Sequence, residues 1–244
     1  MPAPTRSVAP FDPEAFPPER FVLDCRGQPL DCRPGRPDAP AAHVMGILNV
    51  TPDSFSDGGQ FVAVEDAVSR AAEMLSDGAS IIDIGGESTR PGADPVTAQE
   101  ETDRVLPVVE ALVDRFPEAL LSIDTYKPEV ARAALDAGAH IVNDVTGLRH
   151  DPDMAEVAAE ANAPLVIMHS KGEPGDLTAP REYADVTAEV RDALAQSIET
   201  AEDAGVDSIV IDPGFGFGKS HTENLRLINE IDELLTLDRP LLMG

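Results

Sequence analysis

The sequence predicts an α/β fold: parallel strands and helices arranged as a (β/α)8 barrel, a TIM barrel. Three observations predict it. Short aliphatic runs alternate with amphipathic helical patterns along most of the 244 residues. A polar residue closes one run after another. No GxGxxG follows the first strand of the series, as an open dinucleotide-binding sheet would require.

The aliphatic runs fall at 44–50, 80–84, 120–123, 140–142, 164–168, 208–211 and 240–243. Each is short, continuous and rich in Val, Ile and Leu, the pattern of a parallel strand buried on both faces. Between them, apolar residues recur at helical spacing over 64–75, 97–116, 128–137, 153–161, 184–204 and 222–235. Gly78, Gly138 and Gly205 stand where three of these helices should stop. Ahead of the series, residues 1–20 read as a flexible leader, and 21–32 as a small β-hairpin turning at Arg26-Gly27. A Pro-rich connector over 34–40 leads into a single domain with its barrel starting near 44. Seven strands and six helices are counted where eight of each close a barrel. The expectation is therefore an incomplete barrel, lacking its C-terminal end or completed by a partner, with exposed strand edges and a tendency to aggregate.

Composition narrows the function. Lys and Arg total 18 against 45 Asp and Glu, a net charge of −27. Such a chain repels phosphate backbones and anionic membranes, which excludes nucleic acid and lipid as main partners. The acids are spread along the chain, which argues for a solvated surface suited to high salt. Aromatics make up 4% and Trp is absent, so the core must be aliphatic. Cys25 and Cys32 form no CxxC pair and read as ordinary reduced thiols. No stretch has the length of a signal peptide or a membrane span, and a cytoplasmic location is expected.

The polar strand ends are Asn49, Asp83, Asp124, Asn143-Asp144, His169 and Asp212. Six in succession at one rim suggest a site, because barrel enzymes build theirs on the C-terminal face. Each also has a structural reading. Asp124 or Thr125 would cap the following helix, Asn143 and Asp144 would serve a turn before Gly147, and His169 and Asp83 would be buried, bonded core groups. Lys127, Lys171 and Glu87 read as loop charges or supporting partners. The loop over 49–59 is polar and glycine-ended and suits a lid. In the loop over 85–92, two glycines precede Thr89 and Arg90, and arginine grips phosphate in a bidentate fashion. The segment from Asp212 to Ser220 ends Gly-Lys-Ser, but the earlier glycine of a P-loop would fall at Pro213, so an ATPase reading fails. That loop offers a carboxylate, two aromatic faces and Lys219.

At these loops the chain closely resembles the dihydropteroate synthases, pterin-binding enzymes. The resemblance rests on 45–59, 83–92, 122–125, 141–145 and 212–219, in family order. It implies that a dihydropterin carrying a hydroxymethyl diphosphate condenses with 4-aminobenzoate, giving dihydropteroate and diphosphate, a step of folate synthesis. By the same resemblance Asp124, Asn143 and Asp212 read the pterin edge, and Asp124 stabilises positive charge at the methylene. Asn49 contacts Mg²⁺, and Arg90 holds diphosphate or orders the lid. Thr89, Phe55, Pro91 and Phe217 surround 4-aminobenzoate, Asp57 completes the closed site, and Lys219 joins the substrate-binding residues. The hairpin resembles the family's cover over the barrel bottom. The family's Ser-Arg-Lys and Arg-x-His elements do not occur up to Gly244, so this 244-residue chain is expected to turn over weakly or not at all, and a homodimer is expected of a full-length protein. Two other readings stand beside this one: a methyltransferase using the same pterin positions, and a non-catalytic pterin-binding module.

Overall fold

The computed structural model describes residues 16–35, 40, 42–51, 60–88 and 95–244. Its main sheet holds six parallel strands in sequence order: β3 (Met45–Asn49), β4 (Ile81–Gly85), β5 (Leu120–Asp124), β6 (Ile141–Asp144), β7 (Leu165–Met168) and β8 (Ile209–Asp212). All six are predicted strands, with ends shifted by at most two residues. The seventh run forms no full strand. It docks beside β8 through one parallel bridge, Ile211 to Leu241, flanked by two backbone hydrogen bonds of 2.9 Å. β3 is an edge, and Ile47 on it is 66% exposed.

Helices return the chain between strands: α2 (Gln60–Ser76), α3 (Ala98–Arg115), α4 (Pro128–Asp136), α5 (Asp153–Glu160) and α6 (Val186–Asp203). The last predicted helix is broken in two, α7 (His221–Asn229) and α8 (Asp232–Leu235). Local chemistry fixes their starts. Thr97 and Glu100 form a reciprocal capping box on α3, Ser220 and Glu223 do the same on α7, and Asp185 accepts from Ala188 N on α6. The Ser of the false P-loop ending is thus a helix cap. The core between sheet and helices is aliphatic, with Ile82, Ile84, Ile123, Leu165, Ile167 and Ile211 among its fully buried members.

Residues 18–20, read from the sequence as leader, are helical. A helical turn, α1 (Pro18–Phe21), enters the hairpin of β1 (Val22–Cys25) and β2 (Gln28–Asp31). Proline suits the first position of that turn, and Phe21 is buried. Arg26 and Gly27 both take positive φ, the requirement of a tight type I′ hairpin turn. Leu23, Cys25 and Leu30 pack on the entry ends of the strands, against Ile81, Leu120 and Ile141. Arg26 donates to Leu135 O and Ala139 O, both at 2.6 Å, closing the end of α4. The hairpin therefore plugs the bottom of the sheet. The opposite rim is left to polar side chains.

Candidate active site

Parallel register places four residues in one tier at the open rim. Asn49 pairs with Gly85, Gly85 with Asp124, and Asp124 with Asn143. Because side chains on a strand alternate, Asp83 and Ser122 lie one tier below Gly85 and Asp124, on the same face. Asn49 is exposed and ends the edge strand β3. Asp212 ends β8 on the same rim, two strands from Asn143, a step of roughly 10 Å at ordinary strand spacing.

Beneath the tier, Asn143 Nδ2 donates to Asp83 Oδ2 at 3.0 Å, and both residues are buried. Burial raises the Asp83 carboxyl above its usual range, and contacts with Ser122 and Asn143 oppose the rise. Asp83 Oδ1 and Ser122 Oγ each find no hydrogen bond of ordinary geometry. Asp124 is pushed well above the carboxylate range, first by burial and then by the charges of Asp83, Glu101, Asp144 and Glu87. The region around it is strongly negative and favours a positive ligand group. Asp144 does structural work instead. Fully buried, it accepts from Thr146 N, Thr146 Oγ1 and Leu148 N at 2.7–2.8 Å and pins the loop after β6.

On the far side of the rim, Asp212 Oδ1 accepts from Gly214 N at 2.7 Å. Burial pushes this carboxyl up to about 6, with Gly214 N–H and Lys219 opposing. Gly214 has φ +65, and a Cβ there would fall 2.1 Å from His169 O, so only glycine fits. Lys219 is buried and donates to Gly214 O, Phe217 O and His169 O at 2.7, 3.1 and 3.2 Å. Its ammonium is spent on the loop it belongs to, and burial brings it down to about 7 against the pull of Asp212. Phe217 packs on Val145, Met168 and Leu177 with part of its ring exposed. His169 is a core residue with Nδ1 unpaired; burial and the cations Lys219 and Arg149 lower it to about 3.

Between β4 and β5 lies an ionic cluster. Lys127 donates to both Glu87 and Glu101, and its Nζ sits 4.5 Å from the centre of the Tyr126 ring. Tyr126 Oη donates to Glu87 at 3.0 Å, and Arg104 holds Gly86 O at 2.8 Å. The backbone leaving β4 is therefore fixed by α3 and the β5–α4 loop. A shallow cleft beside Asp124 is lined by Glu87, Glu101, Thr125, Tyr126, Val145 and Leu177.

Comparison with known proteins agrees with this geometry. Residues 45–244 match the family model described as pterin binding enzyme. Dihydropteroate synthase from Streptococcus pyogenes is 49% identical over 205 residues, covering 83% of this chain and 74% of that one. The chain belongs to the dihydropteroate synthase family. A Haloferax volcanii family member, the probable bifunctional folylpolyglutamate synthase/dihydropteroate synthase, is 51% identical over 203 residues. That match covers 82% of this chain but 24% of the relative, so the chain spans about a quarter of that bifunctional protein's length. Among solved family members, Xanthomonas albilineans dihydropteroate synthase with 4-aminobenzoic acid superposes with a TM-score of 0.81 at 47% identity, covering 92% of this chain and 78% of that one. The family is one of TIM barrels, and the parallel sheet and hairpin described above follow it.

Of the residues that the resemblance assigns to the site, Asn49, Asp124 and Asn143 share one tier, and Asp212 stands on the same rim. Phe217 and Lys219 lie in the loop after Asp212, Lys219 turned inward. Phe55, Asp57, Thr89, Arg90 and Pro91 lie outside the described residues. Asp124 caps no helix; the N-cap of α4 is Lys127, whose N–H is accepted by Thr125 Oγ1 at 3.2 Å. Lys127 and Glu87 are largely buried partners of each other rather than solvated charges. Sequence reasoning misses Glu101. A signal for it exists: it occupies the same helical stripe as Val105, Val108 and Leu112, where a carboxylate needs a partner.

Proposed function

We propose that the protein is a dihydropteroate synthase. In this reading it joins the methylene of a 6-hydroxymethyl-7,8-dihydropterin diphosphate to the amine of 4-aminobenzoate. The C–O bond to diphosphate breaks, a C–N bond forms, and the amine loses a proton. The observation that carries the reading is Asp124 set in a tier with Asn143 and Asn49 and ringed by four further carboxylates. A pterin edge is rich in N–H groups, which carboxylates accept, and Asn143 adds a group that both donates and accepts. Leaving such an edge unpaired costs about 1–3 kcal/mol per group, so the same residues give selectivity.

Departure of diphosphate leaves positive charge on the pterin methylene. The negative surroundings of Asp124 oppose the ionisation of Asp124 itself in the empty site. A cationic transition state relieves that opposition, so the stabilisation is greatest where the charge develops. Aniline nitrogen is nucleophilic without help, and no protein nucleophile is required. Arg90 is assigned to holding the diphosphate or ordering the lid. Phe217 offers a flat face to 4-aminobenzoate, with Thr89, Phe55 and Pro91 assigned to the same end and Asp57 to completing the closed site. Solved Xanthomonas albilineans relatives with 4-aminobenzoic acid and with 7,8-dihydropteroate support this reaction, the first as one substrate and the second as product.

The exposed carboxamide of Asn49 suits Mg²⁺ as a single hard oxygen ligand. Among the described residues no cluster of three acids, His or Cys is arranged to cage a metal, so diphosphate oxygens and water would complete the shell. When bound, the ion supplies charge neutralisation of the leaving group. Among the described residues no helix is long and apolar enough to cross a membrane.

The deciding experiment supplies the purified protein with the pterin diphosphate, 4-aminobenzoate and Mg²⁺, and follows dihydropteroate and diphosphate together. Equal release of both is expected, with a loss of about 100-fold or more in Asp124→Asn. Failure to bind the pterin, together with release of neither product, by a protein shown to be folded would reject the proposal.

A further inference from the structure

Of the three side chains assigned to the heterocycle edge, Asn143 alone both donates and accepts. A carboxamide with no fixed neighbour turns over and exchanges those two roles. Here it has a fixed neighbour. Asn143 Nδ2 donates to Asp83 Oδ2 at 3.0 Å, from a tier above to a tier below. An ionised carboxylate only accepts, so the contact is satisfied by the amide nitrogen and refused by the amide oxygen. Burial raises the Asp83 carboxyl, and the contacts with Ser122 and Asn143 hold it back toward that ionised form.

Asp83 has no evident value for stability. It is 5% exposed, flanked on its strand by the buried Ile82 and Ile84, and one of its oxygens finds no hydrogen bond of ordinary geometry. Replacing a buried charged group by an apolar one of similar size is often neutral or stabilising. A carboxylate kept there points to a task the apolar residue would not perform.

We propose that Asp83 is a positioning residue that locks the Asn143 amide, so that its carbonyl oxygen and one N–H face the ligand in a fixed order. Asp83 thereby sets which heterocycle edge the rim accepts, without touching the ligand. The inference rests on the pterin reading of the site, and its test is separable from the reaction.

The probe is 6-hydroxymethyl-7,8-dihydropterin, titrated calorimetrically into wild type and Asp83→Asn. The variant keeps the shape but offers either an oxygen or an N–H to Asn143. Binding should weaken by about tenfold or more. The KM for the pterin diphosphate should rise in step, while the KM for the aminobenzoate substrate stays unchanged within about twofold. The thermal midpoint should hold or rise. In an Asn143→Ala background the same change should cost nothing further, since Asp83 acts through Asn143. Unaltered pterin binding in Asp83→Asn, or an equal added loss in the double variant, would overturn the inference. A wild type that binds the pterin but makes no dihydropteroate would reject turnover by this chain and leave this inference to the calorimetry. NMR of the ligand-free wild type tests the lock without any variant. One Asn143 Nδ2 proton should be protected from solvent exchange; two freely exchanging protons would overturn it.

Discussion

Gly85 faces Asp124 across the β4–β5 ladder so closely that a Cβ on it would lie 3.3 Å from Asp124 Oδ2 and 3.6 Å from Asn49 Oδ1. The gap between the two side chains is therefore held open by a missing methyl. Gly85 sits in ordinary extended backbone, so alanine is free of conformational strain there and acts through space alone. Gly85→Ala should displace Asp124 by a few tenths of an ångström and lower kcat/KM by about 10-fold to 100-fold. Its thermal midpoint should move by less than about 3 °C. Steady-state kinetics beside a melting curve checks both, and wild-type turnover in the alanine variant would show that the spacing is irrelevant.

Lys127 is the only cation that the described residues place on Glu87 and Glu101, whose side chains are 11% and 1% exposed. Its removal leaves two carboxylates with little solvent. Lys127→Met should cost about 3 kcal/mol of unfolding free energy, the usual penalty for breaking a buried pair from one side. Adding Glu101→Gln should restore part of that loss, since the orphaned charge is then gone. Urea unfolding of the single and double variants measures it. A double variant less stable than Lys127→Met would mean that the cluster is not held by this charge balance.

Much of this arrangement is legible in the chain, and the illegible part has physical causes. The six strands stand out because strands buried on both faces carry unbroken Val, Ile and Leu, as in Ile209–Asp212. Strand ends are legible as a site because polar residues interrupt that pattern at one rim. The seventh run escapes strand form because it meets β8 alone, with Pro240 unable to donate. Helical spacing runs unbroken from α7 into α8, so the break at Glu230 leaves no trace in the periodicity. Pairings are harder still. Lys127 finds Glu101 from 26 residues away and Glu87 from 40, and Asn143 finds Asp83 from 60. Each is polar in a buried setting and so announces a partner, but only the barrel's register says which.

Asp212 gives a pH dependence with a definite sign. Its carboxyl moves from an ordinary 3.8 to about 6 on folding, chiefly through burial. Between those values the folded protein holds more protons than the unfolded one, so stability falls as pH rises through about 6. The ionised carboxylate accepts a pterin N–H more strongly than the protonated acid does, so pterin affinity should rise over the same window. The two trends run in opposite directions. Asp212→Asn should flatten the stability slope by an amount on the order of 3 kcal/mol across the window, and should remove the acid limb of the pterin affinity. Urea unfolding and calorimetric titration at about pH 4.5, 5.5 and 7 would show this. An unchanged stability slope in the variant would assign the titration elsewhere.

Salt should stabilise this protein. With 45 acidic and 18 basic side chains, self-repulsion favours the expanded chain over the folded one. Raising KCl screens that repulsion, and at 1 M the screening length falls to about 3 Å. It also weakens surface ion pairs such as Arg70–Glu73 and Arg132–Glu160, whose side chains are at least half exposed. Exposed pairs of this kind contribute about 0–1 kcal/mol each, and few cations are present to form them. Relief of repulsion therefore outweighs their loss. The thermal midpoint should climb by about 5 °C or more between 0.1 and 2 M KCl, with potassium and sodium chloride giving the same trend if screening is the cause. A midpoint that falls over that range would mean that the ion pairs, not the surplus of acids, govern the stability of the folded chain.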